Sequence, residues 1–313
     1  MEGPLVSIVL PTFNRADILP VAIESCLGQT YRNIELIVVN DGSVDDTEKV
    51  VMGYVEMDGR VIYHRKENGK LPRALNYGFE RSHGEFLTWT SDDNLYLPSG
   101  IEEMVRFLED GKEFGMVYSD FYISDGGPMD YQTKYLEDSP ELQHHNTVGA
   151  CFLYRRSVYR VVGDYDADLE LAEDYDYWLR VAKAFYIGHI PSPLYVYFTH
   201  KGSLYNKHYY KVKIMSLLAK IKNGIVLPSE TINECLELYS TFYPYKRMKQ
   251  LEIGSLRKEL TAIFEKMETG EVPKLHAADM IMDVFRYYSR MGLVDLVRRV
   301  FLRLKRYVGV PGA

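Results

Sequence analysis

Leu5-Val6-Ser7-Ile8-Val9-Leu10-Pro11-Thr12-Phe13-Asn14-Arg15 is an apolar run broken only by Ser7, closed by a proline and followed at once by a polar cluster. So short and so apolar a run reads as a strand buried on both faces, the kind that parallel sheets use, with Pro11 predicting its end. Behind it Ile18, Leu19, Ala22, Ile23 and Leu27 recur at helical spacing, with Asp17 placed to cap them. A second apolar run, Ile34 to Val39, ends in the turn Asp41-Gly42-Ser43 and leads into a helix-like segment through Val50 and Val51. One strand-turn-helix unit followed by another sets the pattern for the fold.

The alternation continues outward. Val61 to Tyr63 reads as a strand, 72–82 as a helix, Phe86 to Trp89 as a strand, 98–109 as a helix entered at Pro98, and Met116 to Ile123 as a strand. Strands alternating with helices imply βαβ units, and hence an α/β fold built on a doubly wound, mostly parallel sheet whose ligands sit beyond the carboxyl ends of the strands. Residues 124–147, with Gly126-Gly127-Pro128 and no clear period, read as a long surface loop, a form often used for lids or binding. Gly149 to Tyr154 then reads as a strand, Glu173 to Ala184 as a helix and Leu194 to Phe198 as a final strand. From about 206 the texture turns helical, with breaks near Gly224 to Pro228, Tyr243-Pro244 and Gly270 to Pro273.

The net charge of −7 hides an asymmetry. Residues 1–205 carry 18 basic against 33 acidic side chains, −15, while residues 206–313 carry 19 against 11, +8. Two regions with different tasks are expected, an acidic one over 1–205 and a basic helical one over 206–313. The acidic one would repel a bare diphosphate and needs a divalent cation to bind one. Cys26, Cys151 and Cys235 are odd in number and widely spaced, which argues against a disulfide framework or a structural zinc site and fits a reducing cytoplasm. No apolar stretch approaches the roughly 18 residues of a membrane span. In the tail, Leu293, Val297, Val300, Phe301, Leu304 and Val308 share a helical stripe flanked by arginines and lysines. That stripe fits packing on the 1–205 region or a second copy, or a peripheral contact with an anionic membrane.

Four polar clusters follow predicted strands: PTFNR at 11–15, NDGS at 40–43, SDDN at 91–94 and HKGS at 200–203. Any one of them reads most simply as a turn. Their repetition after successive strands points instead to a shared cleft. Asp92 and Asp93 are hard oxygen donors suited to Mg²⁺ or Mn²⁺, whose shell a diphosphate would complete, although a capping pair ahead of Pro98 explains them too. The absence of GxGxxG and GxxxxGK[ST] leaves a dinucleotide fingerprint and a P-loop unsupported. In Glu173-Asp174-Tyr175-Asp176-Tyr177-Trp178-Leu179-Arg180, three carboxylates open a helix, where the helix dipole favours acids and where one of them could also serve as a general base.

Together SIVLPTFNR, ELIVVNDGS, the Lys70/Arg73 region, FLTWTSDDNLYLP, ACFLYRRSVYRVVGDYD and AEDYDYWLR, within residues 5–203, resemble family 2 of the inverting glycosyltransferases, which has the GT-A fold and includes enzymes of spore-coat polysaccharide synthesis. The resemblance implies that Thr12 and Asp41 contact the nucleotide base with Asn14 nearby, that Arg73 reaches the base or diphosphate, and that Asp92 holds the ribose and Asp93 the metal. It makes Asp174 the base that deprotonates the acceptor, and His200 a second contact to metal or diphosphate. Two positions depart from the family pattern: Asn40 stands for the first Asp of DDGS, and Thr90 for the Asp that opens DxDD.

The implied reaction is a single displacement from a nucleoside-diphosphate sugar, most often a uridine one, onto a glycan or lipid-linked acceptor, with Mn²⁺ or Mg²⁺ as cofactor. Residues 206–313 would supply a membrane contact or a homo-oligomer interface, no nucleic-acid partner is expected, and the expected location is cytoplasmic or peripheral at the inner membrane surface. The rival classes are a non-catalytic nucleotide-sugar or glycan-binding module of the same fold and a sugar nucleotidyltransferase. The latter usually carries a basic Gly-rich loop where PTFNR stands here.

Overall fold

The computed structural model describes residues 3–125, 131–199 and 208–225, with Ala262 and Lys266 besides. The chain divides into two compact units, Met1–Lys207 and His208–Ala313. Of the second, a helix over Tyr209–Lys222 is described, while the expected breaks from Pro228 onward, the 293–308 stripe and His200 lie outside the described residues. Among the described residues no helix is long and apolar enough to cross a membrane.

The first unit is built on β1 (Val6–Thr12), α1 (Leu19–Leu27), β2 (Ile34–Asn40), α2 (Thr47–Met57), β3 (Val61–Arg65), α3 (Lys70–Glu80), β4 (Phe86–Trp89), β5 (Leu95–Tyr96), α4 (Gly100–Asp110), β6 (Phe114–Ser119), β7 (Phe121–Ser124), β8 (Gln132–Lys134), β9 (Phe152–Arg155), α5 (Arg156–Val162), α6 (Glu173–Ala182), β10 (Tyr186–Ile190) and β11 (Tyr195–Phe198). Seven strands form one sheet in the order β10-β6-β9-β4-β1-β2-β3, parallel except where β9 runs against β4 and β6. β1 and β2 are buried along their whole length, which is why their sequences are apolar runs instead of alternating ones. On one face α3 crosses β1 and β2 at Gly78, where a Cβ would stand 2.5 Å from Val9 Cγ1 and 3.2 Å from Val39 Cγ2.

The strand order steps from β1 to β2 and β3 on one side and to β4 on the other, so the topological switch lies between β1 and β4. Contrary to the expectation that Pro11 ends the first strand, β1 runs through it to Thr12 in register with β2. Alternate residues of β1 address its two neighbours: Leu5 and Val9 carbonyls accept from β4 and the residues that flank it, whereas Thr12 O accepts from Asp41 N at 2.9 Å. Pro11 therefore faces the β4 side, and β4 has already ended at Trp89. Its missing N–H costs no ladder bond.

The expected single strand Met116 to Ile123 is two strands. β6 belongs to the large sheet and β7 to a second, four-stranded sheet in the order β5-β11-β7-β8. The chain changes sheets at Asp120, which is buried, donates its N–H to Ile190 O at 3.3 Å and accepts Leu194 N–H at 3.1 Å. An apolar run buried on both sides of such a pivot carries no period that marks the break. β10 and α5 are likewise absent from the sequence reading, and part of the long loop folds as the edge strand β8.

Candidate active site

The carboxyl ends of β1 and β4 face each other across the switch, and the polar clusters that follow them are tied together there. Thr12 Oγ1 donates to Asp92 Oδ2 at 2.8 Å, and Arg15 Nη2 lies 4.0 Å from Asp93 Oδ2. The 90–94 turn is fastened at both ends to β11. Thr90 Oγ1 and Tyr195 Oη are 2.6 Å apart, and Asn94 Oδ1 accepts Phe198 N–H at 2.9 Å. Thr90 is thus a buried strut, which accounts for the departure from the acidic pattern at that position. Burial of Asp92 pushes its pKa up to about 6. The hydrogen bond from Thr12 opposes that rise and the neighbouring Asp93 charge adds to it.

The second cluster leans on the first. Asn14 N–H donates to Ser43 Oγ at 2.9 Å, and Asn14 Oδ1 accepts Val44 N–H at 2.8 Å. Asn40 is fully buried and turns its amide inward, donating to Tyr63 Oη at 2.9 Å and accepting Ser43 N–H at 2.8 Å, so it shapes the turn while the next residue faces the loop after β3. Asp41 gathers that loop. Its carboxylate accepts from Lys66 Nζ at 2.7 Å, Gly69 N–H at 2.9 Å and Lys70 N–H at 2.9 Å. Arg73, exposed, stands three residues beyond Lys70 on α3.

Asp174 opens α6, and one side chain links that helix to the rest. The Tyr165 ring stacks on Tyr177 of α6 with centroids 4.1 Å apart. Its hydroxyl accepts from Trp89 Nε1, at the end of β4, at 3.1 Å, and its backbone makes two 2.8 Å bonds with Asn76 of α3. Asp174 is near enough for its charge to raise the Tyr165 phenol. Burial raises the pKa of both Glu173 and Asp174. For Glu173 the adjacent Asp174 charge adds to the rise, whereas Asp174 is partly relieved by hydrogen bonds from Tyr175 N–H and Asn146. Asp176 is fully buried and pairs with Arg180 Nε at 2.8 Å, while the Arg180 guanidinium also donates to Val162 O and Asp164 O. Of the three carboxylates, Asp176 braces the helix.

Among the described residues, three non-glycine residues have left-handed backbone, Asn14 at φ 53°, Lys70 at φ 72° and Leu171 at φ 79°, each beside one of these clusters. Strain of this kind gathers at functional sites. Among the described residues no group of three or more His, Cys, Asp and Glu side chains is arranged to hold a metal ion. Asp93, beside Asp92, still suits Mg²⁺ or Mn²⁺, which keep few protein carboxylates and fill their shell with phosphate oxygens and water. Arg15, Lys66, Asn76, Asn146 and Tyr165 were not picked out as site residues from the sequence. Arg15 and Tyr165 lie inside quoted motifs; for Lys66, Asn76 and Asn146 only spatial neighbours reveal a role.

Residues 7–163 match the sequence profile of Glycosyl transferase family 2. The chain belongs to that family. The match covers the β1, β2 and β4 clusters and stops short of Asp174 and His200. An uncharacterized glycosyltransferase of Rickettsia typhi is 36% identical over 199 residues, 59% of this chain and 61% of its own length, so the aligned part is about three fifths of that relative. A PGL/p-HBAD biosynthesis glycosyltransferase of Mycobacterium bovis is 27% identical over 187 residues, 58% of this chain and 70% of its own. Among solved structures, S. aureus TarS 1-349 in complex with UDP-GlcNAc superposes with a TM-score of 0.60 at 14% identity, covering 93% of this chain and 94% of that one. The mannosyltransferase PcManGT from Pyrobaculum calidifontis, in complex with GDP-Man and Mn²⁺, gives 0.57 at 14% identity, covering 92% and 88%. At such identities the likeness is one of fold, and the fold of this family 2 chain is the GT-A one.

Proposed function

We propose that this family 2 chain transfers a glycosyl group from a nucleoside-diphosphate sugar to an acceptor hydroxyl with inversion at the anomeric carbon. The observation that carries the reading is a pair of acidic groups of different character whose elements one side chain links. Asp92 and Asp93 stand at the switch point, tied to Thr12 and Arg15, and Asp174 opens α6, the helix that Tyr165 joins to Trp89 at the end of β4. On this reading Thr12, Asn14, Asp41 and Arg73 line the nucleotide side and Asp92 takes the ribose. Asp93 is the residue that would hold Mn²⁺ or Mg²⁺, a charge that offsets the one developing on a leaving diphosphate. His200 would add to that end of the site.

Asp174 accepts the proton of the acceptor hydroxyl. The freed oxygen forms its bond to the anomeric carbon as the bond to the diphosphate breaks, and that electron pair leaves with the diphosphate. A base raised by burial binds the proton more firmly, and the hydrogen bonds from Tyr175 N–H and Asn146 favour its ionised form against that burial. The donor class is supported by the UDP-GlcNAc and GDP-Man named for the TarS and PcManGT structures, with uridine the first choice. The acceptor is taken as a glycan or lipid-linked hydroxyl at the cytoplasmic face of the membrane.

Incubation of the purified protein with UDP-glucose, UDP-GlcNAc and GDP-mannose in Mn²⁺ tests this. Slow release of nucleoside diphosphate from one of them, lost in Asp174→Asn, is the expected result. Pyrophosphate-dependent exchange, or binding without any turnover, overturns it in favour of a nucleotidyltransferase or a binding module.

A further inference from the structure

The loop between β8 and β9 is held at several points along its length. Leu136 N–H donates to Asp120 Oδ1 at 2.8 Å, and Tyr118 Oη donates to Glu137 O. His189 bridges Asp120 and Asp138 at 2.9 and 3.0 Å. Farther on, Tyr175 Oη of α6 donates to Leu142 O, and Leu142, Thr147 and Val148 are buried. Between these anchors residues 143–146 are exposed, and at the end of that short exposed stretch Asn146 Nδ2 donates to Asp174 Oδ2 at 2.9 Å. The other oxygen, Oδ1, accepts Tyr175 N–H at 2.7 Å.

An exposed amide has water for a partner, so satisfying its own donors does not require this bond. What the bond fixes is the carboxylate. Asn146 on one oxygen and the Tyr175 N–H on the other set the plane of Asp174, with the residue's own N–H beside them, and a carboxylate has acceptor capacity beyond these for an incoming hydroxyl. Resting on the reading of Asp174 as the base, we infer that Asn146 is a positioning residue, an amide on an anchored strap that aims the general base at the acceptor. The same bond favours the ionised form of Asp174 against the burial that raises its pKa. The other titratable groups that meet Asp174 are Glu173 on the same helix and the phenol of Tyr165. Glu170 acts on Glu173 from the preceding turn, and His144 and His145 lie on the strap itself.

The test compares Asn146→Ala and the isosteric Asn146→Asp with the wild-type protein, using whichever of UDP-glucose, UDP-GlcNAc and GDP-mannose it turns over. kcat is expected to fall roughly tenfold to a hundredfold, less than the loss from removing the base itself. The affinity for the nucleoside diphosphate by calorimetry and the Tm should stay near wild type. With the donor gone the anion is less favoured, so the acid limb of the kcat/KM profile moves up by about one pH unit in Asn146→Ala and further in Asn146→Asp, where a second carboxylate faces the first. A purely structural role would leave that limb in place. Wild-type kcat and an unmoved limb in both variants, with Asp174→Asn inactive, overturn this inference alone. Turnover retained by Asp174→Asn overturns the assignment of the base and this inference with it.

Discussion

Asp92 is expected to be a residue the protein would be more stable without. Its pKa is raised from the ordinary 3.8 to about 6, chiefly by burial. The folded state therefore holds the proton more tightly than the unfolded chain does, and above pH 6 the ionised carboxylate costs stability. A displacement of about two units at about 1.4 kcal/mol each is a cost of about 3 kcal/mol. Asn in its place keeps an acceptor for the Thr12 hydroxyl but loses an acceptor that the Phe13 N–H uses, about 1 kcal/mol, for a net gain of about 2 kcal/mol. For a unit of this size that gain raises Tm by about 4–8 °C at pH 7.5. The wild-type protein recovers the deficit as pH falls from 6 toward 4, so the two melting curves should converge there. Thermal unfolding of both proteins between pH 4.5 and 8 measures this, and adding UDP with Mn²⁺ should stabilise the wild type more than Asp92→Asn. No gain at pH 7.5, or a gain that does not shrink toward pH 4.5, would refute the argument that this carboxylate is held against its solvation.

Asp93→Asn should abolish most of the difference in UDP affinity between Mn²⁺ and EDTA, measured by calorimetry, since Asp93 is the proposed protein ligand of the cation. Asp174→Asn should cost roughly 10²–10⁴ in turnover while leaving UDP affinity nearly unchanged, because a base acts on the acceptor and in the transition state. Arg180→Ala takes the guanidinium from a fully buried carboxylate and from two carbonyls, and chemical denaturation should show a loss of about 3 kcal/mol. Gly78→Ala drives a methyl into Val9 and should lower stability by about 1–3 kcal/mol in the same assay.

The sheet was legible wherever burial on both faces leaves no choice of residue. β1, β2 and β4 are apolar runs, and the polar residues that close them mark the strand ends at which the site is built. β10 was not, because Gly188 and His189 dilute an edge strand whose glycine makes room for Phe107. The change of sheet at Asp120 was hidden for the opposite reason, since one acid inside an apolar run looks like a solvated interruption until its three backbone and loop partners are seen. In the site, the adjacent carboxylates Asp92 and Asp93 and the acidic opening of α6 stand out by type and order. Their supports do not, because Asn146 and Tyr165 act through partners 28 and 76 residues away, a separation that no local pattern encodes.

Asn14, Lys70 and Leu171 have a bearing on how this protein would respond to selection for heat resistance. Each carries a side chain in a backbone region where glycine is at ease, at a cost of about 1–3 kcal/mol for a residue such as leucine. Glycine at 70 or 171 would shed that cost, so a screen for survival at high temperature should collect such changes early. The same changes would loosen the Lys70 amide that Asp41 holds and the Leu171 amide that donates to Glu173 at 2.7 Å. Lineages bred for robustness alone would drift toward tougher proteins with slacker sites, and those bred for turnover would keep the awkward residues.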